Sequence, residues 1–421
     1  MTAPDRFDRH FADVLVDLAD PRFPDYFDDV LARAVRSPQR PAWTFPERWL
    51  PMSAIARRFV LVPQVPWRTV GLLVVLALLV AATVVIVGSQ RRVPEPFGPA
   101  RNGLIAYNVD GDLYTHDLVT GASRLVLAGP ENDISPWFSR DGTKLAFIRL
   151  IGPDQEQLMV ANADGSGARA LTETQDRLSW WEWSPDGRQI AFTSHVNHRP
   201  TIHVVSADGS APPRAIDVGM FAESVTWRPP DGAELIFRAT RAATVSGIFA
   251  VRPDGTGLRE VTPMDGSAQY GYQGPFSMTS DGSTLTYTVW EGNVILRLHF
   301  VDVTTGEDRE RIGPMDEAHA VFSPDNKLIA FNRRAASTRN DVPTQVFVGP
   351  VDDPAAAVAV GPESTAVSGD PGLAYDFSPD GTKVIVTKYR TEETYVAGVT
   401  GGSGEFLAPT ADLPNWQRLA P

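Results

Sequence analysis

The chain's histidine cluster is His195, His198 and His203, and clustered imidazoles are the first place to look for a metal. His195 and His198 are three apart in a stretch that reads as a loop, and His203 returns on the next strand. A metal needs about four ligands in fixed geometry, so this spacing also fits solvated loop histidines. Asn108, Asp110 and Asp112 open like a calcium loop. Position six, however, is Leu113 where glycine is required, and position twelve is Val119 where a glutamate should sit. The segment reads instead as a hairpin turn. No Gly-x-Ser-x-Gly nucleophile elbow, phosphate loop or dinucleotide fingerprint occurs. There are no cysteines, which removes disulfides, thiolate metal sites, iron–sulfur clusters and cysteine nucleophiles together. The expectation is a chain with no catalytic residue, metal or cofactor, and no catalysis of its own. A net charge of −13 argues against a nucleic-acid partner.

The elements behind these residues come from an internal repeat. Phe138-Ser-Arg-Asp141-Gly, Trp183-Ser-Pro-Asp186-Gly, Trp227-Arg-Pro-Pro-Asp231-Gly, Met278-Thr-Ser-Asp281-Gly, Phe322-Ser-Pro-Asp325-Asn and Phe377-Ser-Pro-Asp380-Gly recur at intervals of 45, 45, 50, 44 and 55 residues. That is the spacing of propeller blades, about 40–50 residues for four short strands. In each motif an aromatic or Met ends one strand. The Asp caps backbone N–H groups and the Gly accepts a positive φ. The aliphatic four residues after the Asp then starts the next strand. Asp141, Asp186, Asp231, Asp281, Asp325 and Asp380 are therefore read as structural turn residues.

Six motifs leave one blade unaccounted for. Gly103-Leu-Ile-Ala-Tyr107 reads as a second strand without a first, and Leu413-Pro-Asn-Trp416-Gln reads as a first strand without a second. Trp416 plus three and Ile105 minus four both fall on the missing turn position. The two ends are expected to complete one blade, with Trp416 as the closing residue. The fold class is then mainly β, a seven-bladed β-propeller over 103–421 closed by its N- and C-terminal strands.

The repeats resemble the WD-like repeats of TolB and of the propellers attached to prolyl-oligopeptidase-type peptidases, over roughly residues 101–421. The resemblance implies the propeller fold, and motif residues that build turns. It departs from both relatives. TolB propellers have six blades and are soluble in the periplasm. The peptidases carry a hydrolase domain beyond the propeller, whereas here the residues are expected to stop where the ring closes. The segment 40–52 also looks like one found in bacterial proteins with a short tail, one membrane helix and such a propeller.

Residues 69–88, TVGLLVVLALLVAATVVIVG, carry no charge. That is the length needed to cross about 30 Å of hydrocarbon as a helix. The run begins too far from the N-terminus for a signal peptide. Arg48, Arg57, Arg58 and Arg68 precede it, while Arg91, Arg92 and Arg101 follow. This excess points to a single-pass protein of the cytoplasmic membrane, with its N-terminus inside and the propeller outside. A Pro-rich linker, 89–102, is expected to be extended. The tail, 1–65, contains two short amphipathic helices with apolar residues at helical spacing. Phe7, Phe11, Val14, Leu15 and Leu18 mark the first; Phe27, Val30, Leu31, Ala34 and Val35 mark the second. The plan is similar to that of membrane-tethered anti-sigma factors, which implies a cytosolic regulator as a possible partner of the tail. A tail that only stabilises or targets the chain serves equally, its helices pairing with each other, with a partner or with the membrane.

Surplus loop length falls at 262–275, 333–344 and 361–373, links that emerge on the face opposite the Asp-Gly turns. Arg149, Arg199, Arg238, Arg241, Arg333, Arg334, Arg339, Lys388 and Arg390 collect there. They mark a candidate face for a protein or anionic polymer, with Arg241, Arg334 and Arg390 as the first candidates for contact. The alternative is a set of solvated pairs with Asp154, Glu156, Glu392 and Glu393.

Overall fold

The structure, a computed structural model, describes residues 94–421 apart from 197–198, 243–244, 264–268, 271–275, 292–294, 312–315, 335–342, 366–372, 389, 411 and 421, together with Val75. The chain divides into two units, Met1–Gln90 and Arg91–Pro421. The tail at 1–65 and, except for Val75, the apolar run at 69–88 lie outside the described residues. Among the described residues no helix is long and apolar enough to cross a membrane.

Residues 101–420 form seven antiparallel sheets, each built on four strands, with a short extra strand in two of them. These are the seven blades. The innermost strands are Asn415–Leu419 in blade 1, Asn132–Phe138 in blade 2, Leu178–Trp183 in blade 3 and Phe221–Trp227 in blade 4. Ser277–Met278, Asp316–Phe322 and Leu373–Phe377 serve blades 5, 6 and 7. Blade 1 is composite, as expected. Its second strand is Arg101–Val109, and Ile105 lies opposite Trp416 while Arg101 lies opposite Leu419. Trp416 is buried against Ile105, Ile385 and Val396, so it fills the seam between the last blade and the first. Gln417 holds the closure from both sides: its Oε1 accepts from the Leu104 N–H, and its Nε2 donates to the Gly142 carbonyl. Gly103 faces this side chain so closely that an added Cβ would lie 2.7 Å from Gln417 Oε1.

The turn motif works through one more residue than its Asp and Gly. In blade 2 the Asp141 carboxylate accepts from the Thr143 N–H, and Gly142 adopts φ 69°. Ser139 Oγ donates to Asp141 and accepts from the Lys144 N–H, tying both arms of the turn together. Ser184, Thr279, Ser323 and Ser378 repeat this arrangement. The Thr279 hydroxyl and the Ser283 N–H hold the Asp281 carboxyl below its ordinary range. The strand-end aromatics Phe138, Trp183, Trp227, Phe322 and Phe377 are buried between blades. Asp110 and Gly111 both take positive φ between two paired strands, a two-residue hairpin turn, as the sequence suggested.

The linker corrects one expectation. The first strand begins at Arg101, two residues earlier than read. Pro94–Ala100 is not a plain extended spacer either. It bends against the propeller, with the Ala100 N–H donating to the Pro379 carbonyl. Three prolines stiffen the segment, but Gly98, at φ 79°, lets it turn back.

Candidate binding channel

The inner strands surround a central channel of about 620 Å³. One residue position organises its wall. Four residues before the turn Asp, or five in the longer blade 4 turn, stand Trp137, Glu182, Thr226, Ser277, Val321 and Asp376, with Asn415 equivalent in blade 1. All seven line the channel. Several also join the blades. Glu182 accepts from the Trp227 N–H of the next blade, Ser277 Oγ from the Phe322 N–H, and Asn415 Oδ1 from the Phe138 N–H. The tryptophan indoles reach back the other way, Trp183 to the Trp137 carbonyl and Trp227 to the Glu182 carbonyl. Deeper wall positions carry a bulge. Ser135, Trp180, Ser224 and His319 are left-handed residues at φ 45–58°, each at a break in the register of its inner strand. Four such residues around one cavity re-aim side chains into it, and non-glycine residues in this region concentrate at functional sites. Trp137 and Trp181 meet edge to face at 5.7 Å, giving blades 2 and 3 an aromatic wall. Ser224, Thr226, Ser277 and Thr288 supply hydroxyls opposite.

Charge lines both ends of the channel: Glu156 and Arg238 stand far from the tight turns, and Arg140, Glu182, Asp376 and Arg418 stand beside them. Glu182 pairs with Arg140 and accepts from Thr226 Oγ1. Burial pushes the Asp376 carboxyl up to about 6, against the Phe377 N–H and the Arg140 and Arg418 guanidiniums, which pull it down. Burial, with Arg140 nearby, lowers Arg418 to about 10. For Asp376 the folded value lies above the unfolded 3.8. Its contribution to stability is therefore complete below about pH 4 and is lost as pH rises through about 6. Asp376→Asn should gain stability relative to the parent across this window. Melting curves at pH 4 and pH 7 check it; a difference that does not change between them contradicts the burial of this carboxyl.

The basic candidates are mostly engaged with acids directly across the strand pair. Arg149 grips Asp133 with both arms at 2.7 and 2.8 Å. Arg238 pairs with Glu223, and Lys388 with Glu393 at 3.1 Å. Arg333 and Arg334 are buried and pair with Glu317 at 2.6 Å and Asp316 at 3.4 Å. Neither guanidinium is presented to solvent. Arg199 lies over the Phe221 ring, and Arg390 sits in an exposed turn. Arg339 and the Arg241 side chain lie outside the described residues, as does His198. His203 is buried against the Phe192 ring at 5.1 Å, and burial lowers its pKa. His195 is exposed. Among the described residues no three His, Asp or Glu side chains group to hold a metal.

No family model matches the chain. The uncharacterized peptidase YuxL of Bacillus subtilis is 26% identical over 212 residues, 48% of this chain and 30% of that protein. TolB of the Tol-Pal system from Nitrosomonas europaea is 40% identical over 62 residues, 15% of this chain and 14% of that protein. This chain thus spans less than a third of either relative. The oligogalacturonate lyase of Vibrio parahaemolyticus superimposes with a TM-score of 0.56 at 15% identity, covering 74% of this chain and 95% of that one. A peptidase and a lyase among these proteins overturn the expectation that such a propeller excludes catalysis. The motifs that suggest a non-enzyme build the scaffold, and the scaffold is shared with enzymes. The chain is a seven-bladed β-propeller whose repeats are similar to part of TolB.

Proposed function

We propose that this protein is a membrane-tethered, extracytoplasmic propeller that binds an extended segment of a partner protein in its central channel. The observation that carries this reading is the channel wall, aromatic on blades 2 and 3 and hydroxyl-bearing on blades 4 and 5. Such a wall suits a chain with flat apolar groups and frequent hydrogen-bonding atoms. Entry is from the face opposite the Asp-Gly turns. The uncharged run at 69–88 and the arginines before it support the tether and its orientation. In this arrangement the tail at 1–65 offers its apolar stripes to a cytosolic regulator.

Val321 is the one apolar aliphatic member of the channel ring. Val321→Trp should fill the bore and leave the polar ring contacts between blades in place. Tagged full-length chain, recovered from its own cells after lysine crosslinking, should lose at least nine-tenths of its partner with this substitution. Unchanged recovery would overturn the channel as the site. Protease added outside intact inner membranes should remove 101–421 and spare the tail; protection of the propeller would reverse the topology. The enzymes among the relatives favour a second reading, in which the channel admits substrate to a hydrolytic or lytic reaction. Turnover of an oligopeptide or an oligogalacturonate that Val321→Trp abolishes would favour it.

A further inference from the structure

In the turn motif the residue before the Asp is Pro185, Pro230, Ser280, Pro324 or Pro379 in blades 3 to 7. In blades 2 and 1, which are neighbours, it is Arg140 and Arg418. These two arginines meet the segment Pro94–Ala100. Arg418 Nη2 donates to the Glu95 carbonyl at 3.0 Å and to the Gly98 carbonyl at 2.6 Å. The Arg140 guanidinium lies 4.6 Å from the Phe97 ring centroid. Phe97 and Gly98 themselves form part of the channel wall at this end.

From this we infer that the tight-turn mouth is a docking site for a bent, proline-flanked aromatic peptide, and that the chain's own 94–100 segment is its resident occupant. The arginines supply what such a peptide needs: a donor for two carbonyls brought together by the bend and a cationic plane for the ring. Pro94, Pro96 and Pro99 lower the entropy lost on docking. While the strap is seated, the channel opens only to the opposite face. When it lifts, the second mouth is exposed. The strap follows the apolar run after five residues in sequence, so force or binding on that side of the chain acts first on this latch.

The absence of cysteine allows a direct test on the full chain. Ala100 is buried beneath the strap's hydrogen bond to Pro379, and Ala191 is buried in blade 3. Ala100→Cys then reports strap opening, and Ala191→Cys reports general loosening. Labelling by an aromatic disulfide reagent should be slow for both. Adding Arg418→Ala, or Arg140→Pro, should speed labelling at position 100 at least tenfold and leave position 191 unchanged. Arg140→Pro restores the Ser-Pro-Asp-Gly turn that blades 3 and 7 already use, so the fold tolerates it. An unchanged rate at position 100, or rates that rise together at both positions, would overturn the latch. This labelling reads the strap alone, whereas partner recovery with Val321→Trp reads ligand binding, so the two readings fail separately.

Discussion

Glu317→Ala is expected to destabilise the propeller by about 3–5 kcal/mol, the usual loss when one partner of a buried ion pair is removed. Glu317 is almost fully buried and serves two guanidiniums. Arg333 binds its Oε1 through Nε at 3.0 Å and Nη2 at 2.6 Å, and Arg311 lies 3.4 Å from its Oε2. Both arginines are buried as well, stacked over the Phe331 ring. Burial already lowers the Arg311 pKa. Without Glu317 the two guanidiniums lie buried beside the Phe331 ring with no anion between them. The companion double variant, Glu317→Ala with Arg333→Met, should recover part of the loss, because an apolar replacement removes the stranded charge. Urea denaturation of both proteins measures this. A loss under about 1 kcal/mol for the single variant, the range of an exposed pair, would contradict the burial of the triad.

Trp416→Ala should cost a similar amount, about 3–5 kcal/mol, as expected for removal of a large buried aromatic. The indole is the main apolar contact between the last blade and the first. Deleting residues 415–421 should do more than destabilise. It strips the inner strand from blade 1, exposes the edge of Arg101–Val109, and leaves the channel wall broken where Asn415 joins the Phe138 N–H. Exposed edges template pairing between chains. The truncated protein should therefore associate, and its melting should lose cooperativity. Sedimentation and calorimetry on the deletion are the check. A monomer that melts like the parent would mean that the ring does not need its seventh inner strand.

Much of this fold was legible because the repeat is punctuated by turn chemistry. Asp-Gly needs one conformation, and the aliphatic four residues on can face only one side of its strand. The composite blade followed from counting, since Trp416 and Ile105 point to the same missing turn. The channel was harder to see. Its ring lies at a fixed offset, four residues before most turn Asp residues. Its side chains are as different as Trp137, Ser277 and Asp376, so no composition signal marks it. The cross-strand ion pairs had a signal that went unused. An acid stands eight residues before the turn Asp at 133, 223 and 317, and a base seven or eight after it at 149, 238 and 333. Read together, these positions pair the arginines with inner-strand acids and shift attention from the face to the bore. The strap was misread because three prolines suggest a spacer, while the departure that matters, arginine where the motif has proline, lies in other parts of the chain.

The central claim, that a partner segment occupies the channel, is tested most directly by a photo-crosslinking amino acid placed at two positions of the full chain in its own cells. Trp180 lies on the channel wall, and Phe406 is exposed on the outermost strand of blade 7, Glu405–Ala408. Irradiation should yield a protein adduct from position 180 and none from position 406. An adduct from position 406 with none from position 180 would place the partner on the rim and contradict the account.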